Sequence, residues 1–124
     1  MKTVLIVEDN EKNMKLARDI LRAKGYAVLE AVNGLDGVRL AIAHCPDLVL
    51  MDIQLPGMDG IEAFARIRAD ASTAKVPVVA FTASVTTDDR SRIGHAGFDG
   101  FLGKPIDLKE FVATVRRLAG EPSA

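Results

Sequence analysis

Leu48-Val49-Leu50-Met51 runs directly into Asp52, then through the loop Ile53-Gln54-Leu55-Pro56-Gly57-Met58 to Asp59-Gly60-Ile61-Glu62. Four consecutive apolar residues with no polar alternation mark a short strand buried on both faces, as strands of a parallel sheet are. Asp59 and Glu62 stand at capping-box spacing, and Ile61, Phe64 and Ile67 then recur inward at helical intervals. The stretch is a strand–loop–helix unit, and it carries a carboxylate, Asp52, after the apolar run.

The same unit repeats on both sides. Val4 to Val7 is another fully apolar strand, followed by a turn at Asp9-Asn10. Met14, Leu16, Ala17, Ile20 and Leu21 then fall at helical spacing, with Gly25 as the stop. Tyr26 to Ala31 reads as a strand, and Asn33-Gly34 as a turn. Leu35, Val38, Ala41 and Ile42 mark a helix that ends near Pro46. Val76 to Phe81 is the fourth strand. A helix from Thr87 to about His95 follows, with Thr86 and Asp89 at capping-box positions and Gly97 as the break. Phe98 to Leu102 is the fifth strand. Asp107 caps the last helix, whose Leu108, Phe111, Val112, Val115 and Leu118 form an apolar stripe. Five such units predict an α/β, flavodoxin-like (βα)5 fold: an open parallel five-stranded sheet, order 2-1-3-4-5, with helices on both faces. Residues 1–119 form the expected domain and 120–124 a short tail, with no internal repeat.

In a parallel sheet the C-terminal strand ends share one edge, and ligands bind there. Glu8-Asp9, Asp52, Thr82-Ala83 and Lys104-Pro105 all fall at that edge. In the order 2-1-3-4-5, Asp9 and Asp52 lie side by side, and Thr82 and Lys104 approach from the other side. Taken singly each has an ordinary reading: Asp9 as a helix cap, Thr82 as a turn residue, Lys104 as a loop lysine. Their joint placement favours a shared pocket. Glu8, Asp9 and Asp52 at close range would repel one another and could not all stay ionised cheaply, a conflict that a hard cation would relieve. Mg²⁺, with Mn²⁺ as a substitute, suits oxygen ligands and phosphoryl chemistry. Neither Cys45 nor a histidine maps to the pocket, so nothing favours zinc. A carboxylate beside a metal and an ammonium can accept a phosphoryl group. Asp52, central between the acidic pair and the Thr82/Lys104 pair, is the expected acceptor; Lys104, the Thr82 hydroxyl and the Ala83 N–H would receive phosphoryl oxygens.

Composition bounds the alternatives. The chain has 124 residues, 48% hydrophobic and 27% charged, with formal net charge −1. That is one ordinary globular domain. Its cations are spread along helices (Lys12, Lys15, Arg18, Arg22 and Lys24 on one, Arg116-Arg117 on another), which argues against a nucleic-acid surface. No apolar run approaches the roughly 20 residues of a membrane span, and Glu8-Asp9 interrupts the N-terminal apolar run too soon for a secretory signal. The cytoplasm is the expected location. The single cysteine, Cys45, reads as a small buried residue. His44 and His95 sit near helix C-termini, where a cation suits the dipole.

The strings Val4-Leu5-Ile6-Val7-Glu8-Asp9-Asn10, Asp47 to Gly60, Phe81-Thr82-Ala83 and Gly97-Phe98-Asp99-Gly100-Phe101-Leu102-Gly103-Lys104-Pro105, in this order and spacing, resemble a response-regulator receiver domain of the CheY-like superfamily. The resemblance runs from Lys2 to about Ala119. It implies that Asp52 is the phosphorylated aspartate and that Glu8 and Asp9 are the acidic pair organising Mg²⁺, with Asp9 the direct ligand. It further implies the Gln54 backbone carbonyl as a metal ligand, Thr82 (with Ala83) and Phe101 as switch positions, and a cis peptide at Lys104-Pro105. Phe101 stands where many members have tyrosine, which removes a hydroxyl; Glu8 replaces an aspartate and keeps the carboxylate.

The resemblance also implies how the signal leaves. A stand-alone receiver is expected to take its phosphoryl group from a histidine kinase or histidine phosphotransferase. It would signal to a downstream protein through helix 4, strand 5 and helix 5, as a monomer or weak dimer, with no nucleic acid or membrane involved. It would assist its own phosphorylation and dephosphorylation rather than act as an enzyme. A phosphorelay intermediate is the rival within the family. A small Mg²⁺-dependent aspartate-nucleophile phosphatase is the rival outside it, although Gln54 stands where such enzymes want a second aspartate. A flavodoxin-like nucleotide binder would want glycines or hydroxyls where Glu8-Asp9-Asn10 stand.

Overall fold

The computed structural model describes residues 1–83 and 87–122, with the backbone alone for 87–89. Strands and helices alternate: β1 (Thr3–Val7), α1 (Glu11–Ala23), β2 (Ala27–Ala31), α2 (Gly34–His44), β3 (Leu48–Asp52), α3 (Gly60–Ala69), β4 (Val78–Thr82), α4 (Thr87–Ala96), β5 (Gly100–Gly103) and α5 (Leu108–Ala119). The strands pair in parallel in the order β2-β1-β3-β4-β5, as the sequence predicts.

The apolar strands follow from burial on two sides, because successive side chains point to opposite faces. Val4 and Ile6, with Leu48, Leu50, Val79 and Phe81, pack against Met14, Ala17 and Leu21 of α1 and Phe111 and Val115 of α5. Leu5 and Val7, with Val49, Met51 and Val78, pack on the opposite face against Val38 and Ala41 of α2 and Phe64 and Ile67 of α3. A smaller cluster of Ile53, Ala80 and Ile93 seats α4. Every residue of β3 and β4 is buried, Asp52 and Thr82 included.

Among the described residues, side-chain caps start four helices. Asn10, Asn33, Asp59 and Asp107 each accept from the N–H three residues on, at 2.8–3.1 Å, satisfying donors that a helix leaves orphaned. The Asp59 and Asp107 caps are the ones read from sequence. The proposed Thr86–Asp89 cap lies outside the described residues, as do the last two residues of the tail.

Several expectations need correction. Leu16, Leu35, Ile42 and Leu108 are exposed rather than part of the core. At about 100° per residue, Leu16 is rotated well away from Met14, and α2 buries Gly34, Gly37, Val38 and Ala41 instead. Cys45 is exposed, not buried. It is the C-cap of α2 in the left-handed region, φ 46°, so it sits past the helix face that packs inward. β2, β4 and β5 begin one or two residues later than the sequence suggests. At β5 the cause is Asp99, whose carboxylate accepts from the Val78 N–H at 2.8 Å and pairs with Arg68 at 2.6 Å.

Candidate phosphoryl and metal site

The sheet brings the four polar stations to one edge. β1 delivers Glu8 and Asp9, and the Glu8 N–H donates to the Ala31 carbonyl at 3.0 Å. β3 ends on Asp52 and β4 on Thr82, both buried. Lys104 follows β5, and its backbone N–H donates to the Thr82 carbonyl at 2.9 Å. The Lys104–Pro105 peptide is cis.

Because Asn10 rather than Asp9 caps α1, the Asp9 carboxylate is not spent on the helix. Glu8, Asp9 and Asp52 each place a carboxylate oxygen within 4.8 Å of the others. Glu8 and Asp52 are buried and Asp9 is exposed. The Gln54 backbone lies beside them, its N–H donating to Asp52 Oδ1 at 3.0 Å.

Among the described residues, Lys104 is the cation that bonds to this group. Lys104 Nζ donates to Glu8 Oε1 and Oε2 at 2.7 and 2.9 Å and to Asp52 Oδ2 at 3.2 Å. It also lies 4.9 Å from the centroid of the buried Phe81 ring, a favourable place for an ammonium. Three carboxylates against one ammonium leave negative charge in excess. Burial, and then the neighbouring Asp52 carboxyl, push the Glu8 carboxyl up to about 7, while Lys104 pulls the other way. An all-oxygen, over-charged cluster of this kind fits a hard divalent cation.

The Glu8 shift has a stability consequence in the metal-free protein. Its folded pKa lies above the unfolded value, so folded Glu8 holds a proton that the unfolded chain releases between pH 4.5 and about 7. The contribution is full below pH 4.5 and is lost as pH rises through about 7. Urea midpoints in chelator should therefore fall across this window more steeply for the natural protein than for Glu8→Gln. Parallel curves would refute the assignment.

Phe101 is placed apart from the carboxylates. It lies half-buried on β5 opposite Ala80, with the Arg90 guanidinium 5.7 Å from its ring centroid. It lines a groove of about 370 Å³ with Arg90, Ile93, Gly94, Phe98 and Gly100. Ala83 is exposed beside Thr82.

Two site features escape the sequence reading. The reach of Lys104 to Glu8 has no signature in spacing. Gly60 looks there like part of a cap, yet a Cβ on it would lie 2.2 Å from the Asp52 carbonyl oxygen. Its N–H also donates to the Ile53 carbonyl at 3.0 Å, so the residue holds the β3–α3 loop against the end of β3. An Asp-Gly pair closing the loop is the signal that could have found it.

Residues 4–116 match the response regulator receiver domain family. The chain is 42% identical over 120 residues to the polar-differentiation response regulator DivK of Brucella anthropi, spanning 97% of this chain and 98% of that protein. Its structure is similar to the receiver domain of the sensor histidine kinase PA1611 of Pseudomonas aeruginosa, with TM-score 0.90 and 35% identity over 96% of this chain and 98% of that one. That domain was solved with a magnesium ion coordinated in its active site cleft. The chemotaxis protein CheY4 of Vibrio cholerae shares the fold at TM-score 0.88 and 24% identity, over 95% and 98% of the two chains. With its sheet order, its acidic edge and nearly its whole length accounted for, the chain belongs to the response regulator receiver domain family.

Proposed function

We propose that this receiver is a phosphoacceptor of a two-component or phosphorelay pathway, with Asp52 taking the phosphoryl group from a histidine kinase or histidine phosphotransferase. The observation that carries the reading is a buried carboxylate, Asp52, with Lys104 Nζ at 3.2 Å and with Glu8 and Asp9 oxygens inside 4.8 Å. An Asp52 oxygen bonds to phosphorus as the P–N bond of a donor phosphohistidine breaks, the electron pair leaving with the imidazole nitrogen. The Gln54 N–H on Oδ1 fixes the carboxylate's orientation. The Lys104 ammonium, the Thr82 hydroxyl and the Ala83 N–H supply donors for the phosphoryl oxygens, preorganised charge of the kind that phosphoryl transfer chiefly requires.

Glu8, Asp9, Asp52 and the Gln54 backbone carbonyl are the groups that would hold Mg²⁺, or Mn²⁺ in its place. When bound, the cation supplies positive charge to offset the carboxylates and the incoming phosphoryl group. The magnesium ion in the PA1611 receiver supports this choice. We take residues 1–119 as the receiver and read the chain as a signalling protein that assists its own phosphorylation and dephosphorylation. A small phosphatase is not favoured: Gln54 occupies the position of its second aspartate. No helix among the described residues is long and apolar enough to cross a membrane. The cytoplasm, where a kinase presents its phosphohistidine, is the proposed location. Incubation with acetyl phosphate and Mg²⁺, followed by intact mass measurement, tests the function; the protein should gain a single phosphate, and no gain would overturn the reading.

Output is proposed to run through α4, β5 and α5 to a downstream protein, with the receiver a monomer or weak dimer. Support comes from Thr82 and Phe101 lying on adjoining strands and from the half-buried Phe101 ring bordering a groove. A charge-assisted bond from Thr82 to a phosphate contributes roughly 1.5–3 kcal/mol, enough to shift a two-state equilibrium about ten- to a hundredfold. Beryllofluoride, a phosphoryl mimic, should therefore move amide NMR resonances across residues 85–119. In Thr82→Ala those distant shifts should shrink while the shifts near Asp9 and Asp52 persist. Shifts confined to the loops around Asp9 and Asp52 in the natural protein would refute the route.

A further inference from the structure

We propose that α2, none of whose side chains joins the carboxylate cluster, is a positioning clamp: through Gly34 and Gly37 it sets the β3–α3 loop against the end of β1, and so the spacing of the groups that would hold the cation. The inference rests on the metal site proposed above. The sheet does not fix that spacing by itself. The β1–β3 ladder ends at the pair Val7–Met51, one residue short of Glu8 and Asp52. Past that pair the two segments turn to other neighbours, the Glu8 N–H to the Ala31 carbonyl and Asp52 to a place opposite Phe81 of β4. The loop 53–59, which contains Gln54, runs on beyond the ladder.

α2 bridges the two segments. Gly34 and Gly37 are buried and three residues apart, so they share one helix face. A Cβ on Gly34 would lie 2.9 Å from the Met58 carbonyl oxygen and 3.3 Å from the Met58 Cβ. On Gly37 it would lie 2.7 and 3.0 Å from the two methyls of Val7. The helix backbone therefore rests on the β3–α3 loop at one point and on the residue before Glu8 at the other, with no side chain of its own between. The first turn is itself held. Asn33 Oδ1 accepts from the Asp36 N–H at 2.8 Å while its Nδ2 donates to Asp36 Oδ2 at 3.0 Å, and the Gly37 N–H donates to the Asn33 carbonyl at 3.1 Å. Gly60 holds the loop at Ile53, and Gly34 holds it at Met58. Between these two points lies Gln54, whose N–H orients Asp52 and whose carbonyl is one of the groups proposed for the cation. Supporting contacts of this kind set where metal ligands stand. Gly34 and Gly37 are thus positioning residues for the site.

The test is the Mg²⁺ affinity of folded variants by titration calorimetry, with urea unfolding in chelator beside it. A packing defect alone lowers stability and leaves the affinity of the folded molecules unchanged. Gly34→Ala and Gly37→Ala should each weaken Mg²⁺ binding by roughly tenfold, the scale of lost outer-shell support. Val7→Ala frees the space that the Gly37→Ala methyl needs, so the double variant should recover affinity that Gly37→Ala loses. Asn33→Ala loosens the first turn without a clash and should weaken binding in the same direction, which keeps the clamp refutable if a glycine variant fails to fold. The Gln54 amide NMR resonance in chelator gives a readout that needs no metal, and it should move in Gly34→Ala. Variants that fold and bind Mg²⁺ as the natural protein does, or a Gly37→Ala loss that Val7→Ala leaves unrelieved, overturn the clamp and leave the metal site standing. If the natural protein binds no Mg²⁺, the metal site is overturned, and the clamp on the loop is then decided by the Gln54 resonance: movement in Gly34→Ala supports it, and an unmoved resonance overturns it.

Discussion

Asp52→Asn should accept no phosphoryl group from acetyl phosphate and Mg²⁺ under conditions that label the natural protein fully. The substitution is isosteric and keeps an oxygen that can accept from the Gln54 N–H, now at 3.0 Å. Position and packing are therefore retained, and the loss is chemical. A neutral amide lacks the carboxylate charge that attacks phosphorus, and the product would be no acyl phosphate. Removing one of three crowded carboxylates also relieves repulsion on Glu8, whose carboxyl Asp52 helps to push up. The variant should accordingly be as stable as the natural protein without metal, or more so, which separates loss of chemistry from loss of fold. Full labelling of Asp52→Asn would move the acceptor to another carboxylate, with Asp9 the first to examine.

Much of this site is legible in the chain because its residues occupy strand ends. A four-residue apolar run ending in an acid specifies both a buried strand and the point where the chain leaves the sheet. Once the order 2-1-3-4-5 is assigned, Glu8, Asp9, Asp52, Thr82 and Lys104 must converge. The fold is equally plain, since alternating faces such as Val4/Ile6 and Leu5/Val7 demand helices on both sides. What the sequence leaves open depends on side-chain reach and on contacts between distant segments. Lys104 could turn to either carboxylate, and only the packed site shows it on both, closer to Glu8 than to Asp52. Helical spacing overstated burial at Leu16 and Leu108, because a spacing rule does not say how wide a stripe the sheet covers. Asp99 drew notice only as part of a motif. Its double role, taking the Val78 N–H and the Arg68 guanidinium, arises from a segment outside its own unit.

Gly60 shows how the fold constrains Asp52, the proposed acceptor, and Gly60→Ala should destabilise the protein by about 2 kcal/mol or more. Alanine is the better helix former by about 1 kcal/mol, so propensity alone predicts stabilisation. Space reverses the sign. The added methyl would lie 2.2 Å from the Asp52 carbonyl oxygen and 2.8 Å from the Ile53 Cα. Both are backbone atoms, and neither can swing aside as a side-chain tip can. Either the first turn of α3 withdraws, weakening the Gly60 N–H bond to the Ile53 carbonyl, or the end of β3 moves, and Asp52 with it. Phosphorylation should therefore slow in Gly60→Ala even at temperatures where the protein remains folded. Gly94, on α4, is the control: a Cβ there meets nothing within 4 Å, so Gly94→Ala should be neutral or stabilising by up to about 1 kcal/mol. Urea unfolding of the two variants in chelator, beside the natural protein, makes the comparison. If Gly60→Ala proves as stable as Gly94→Ala, the close approach of α3 to Asp52 does not govern this site.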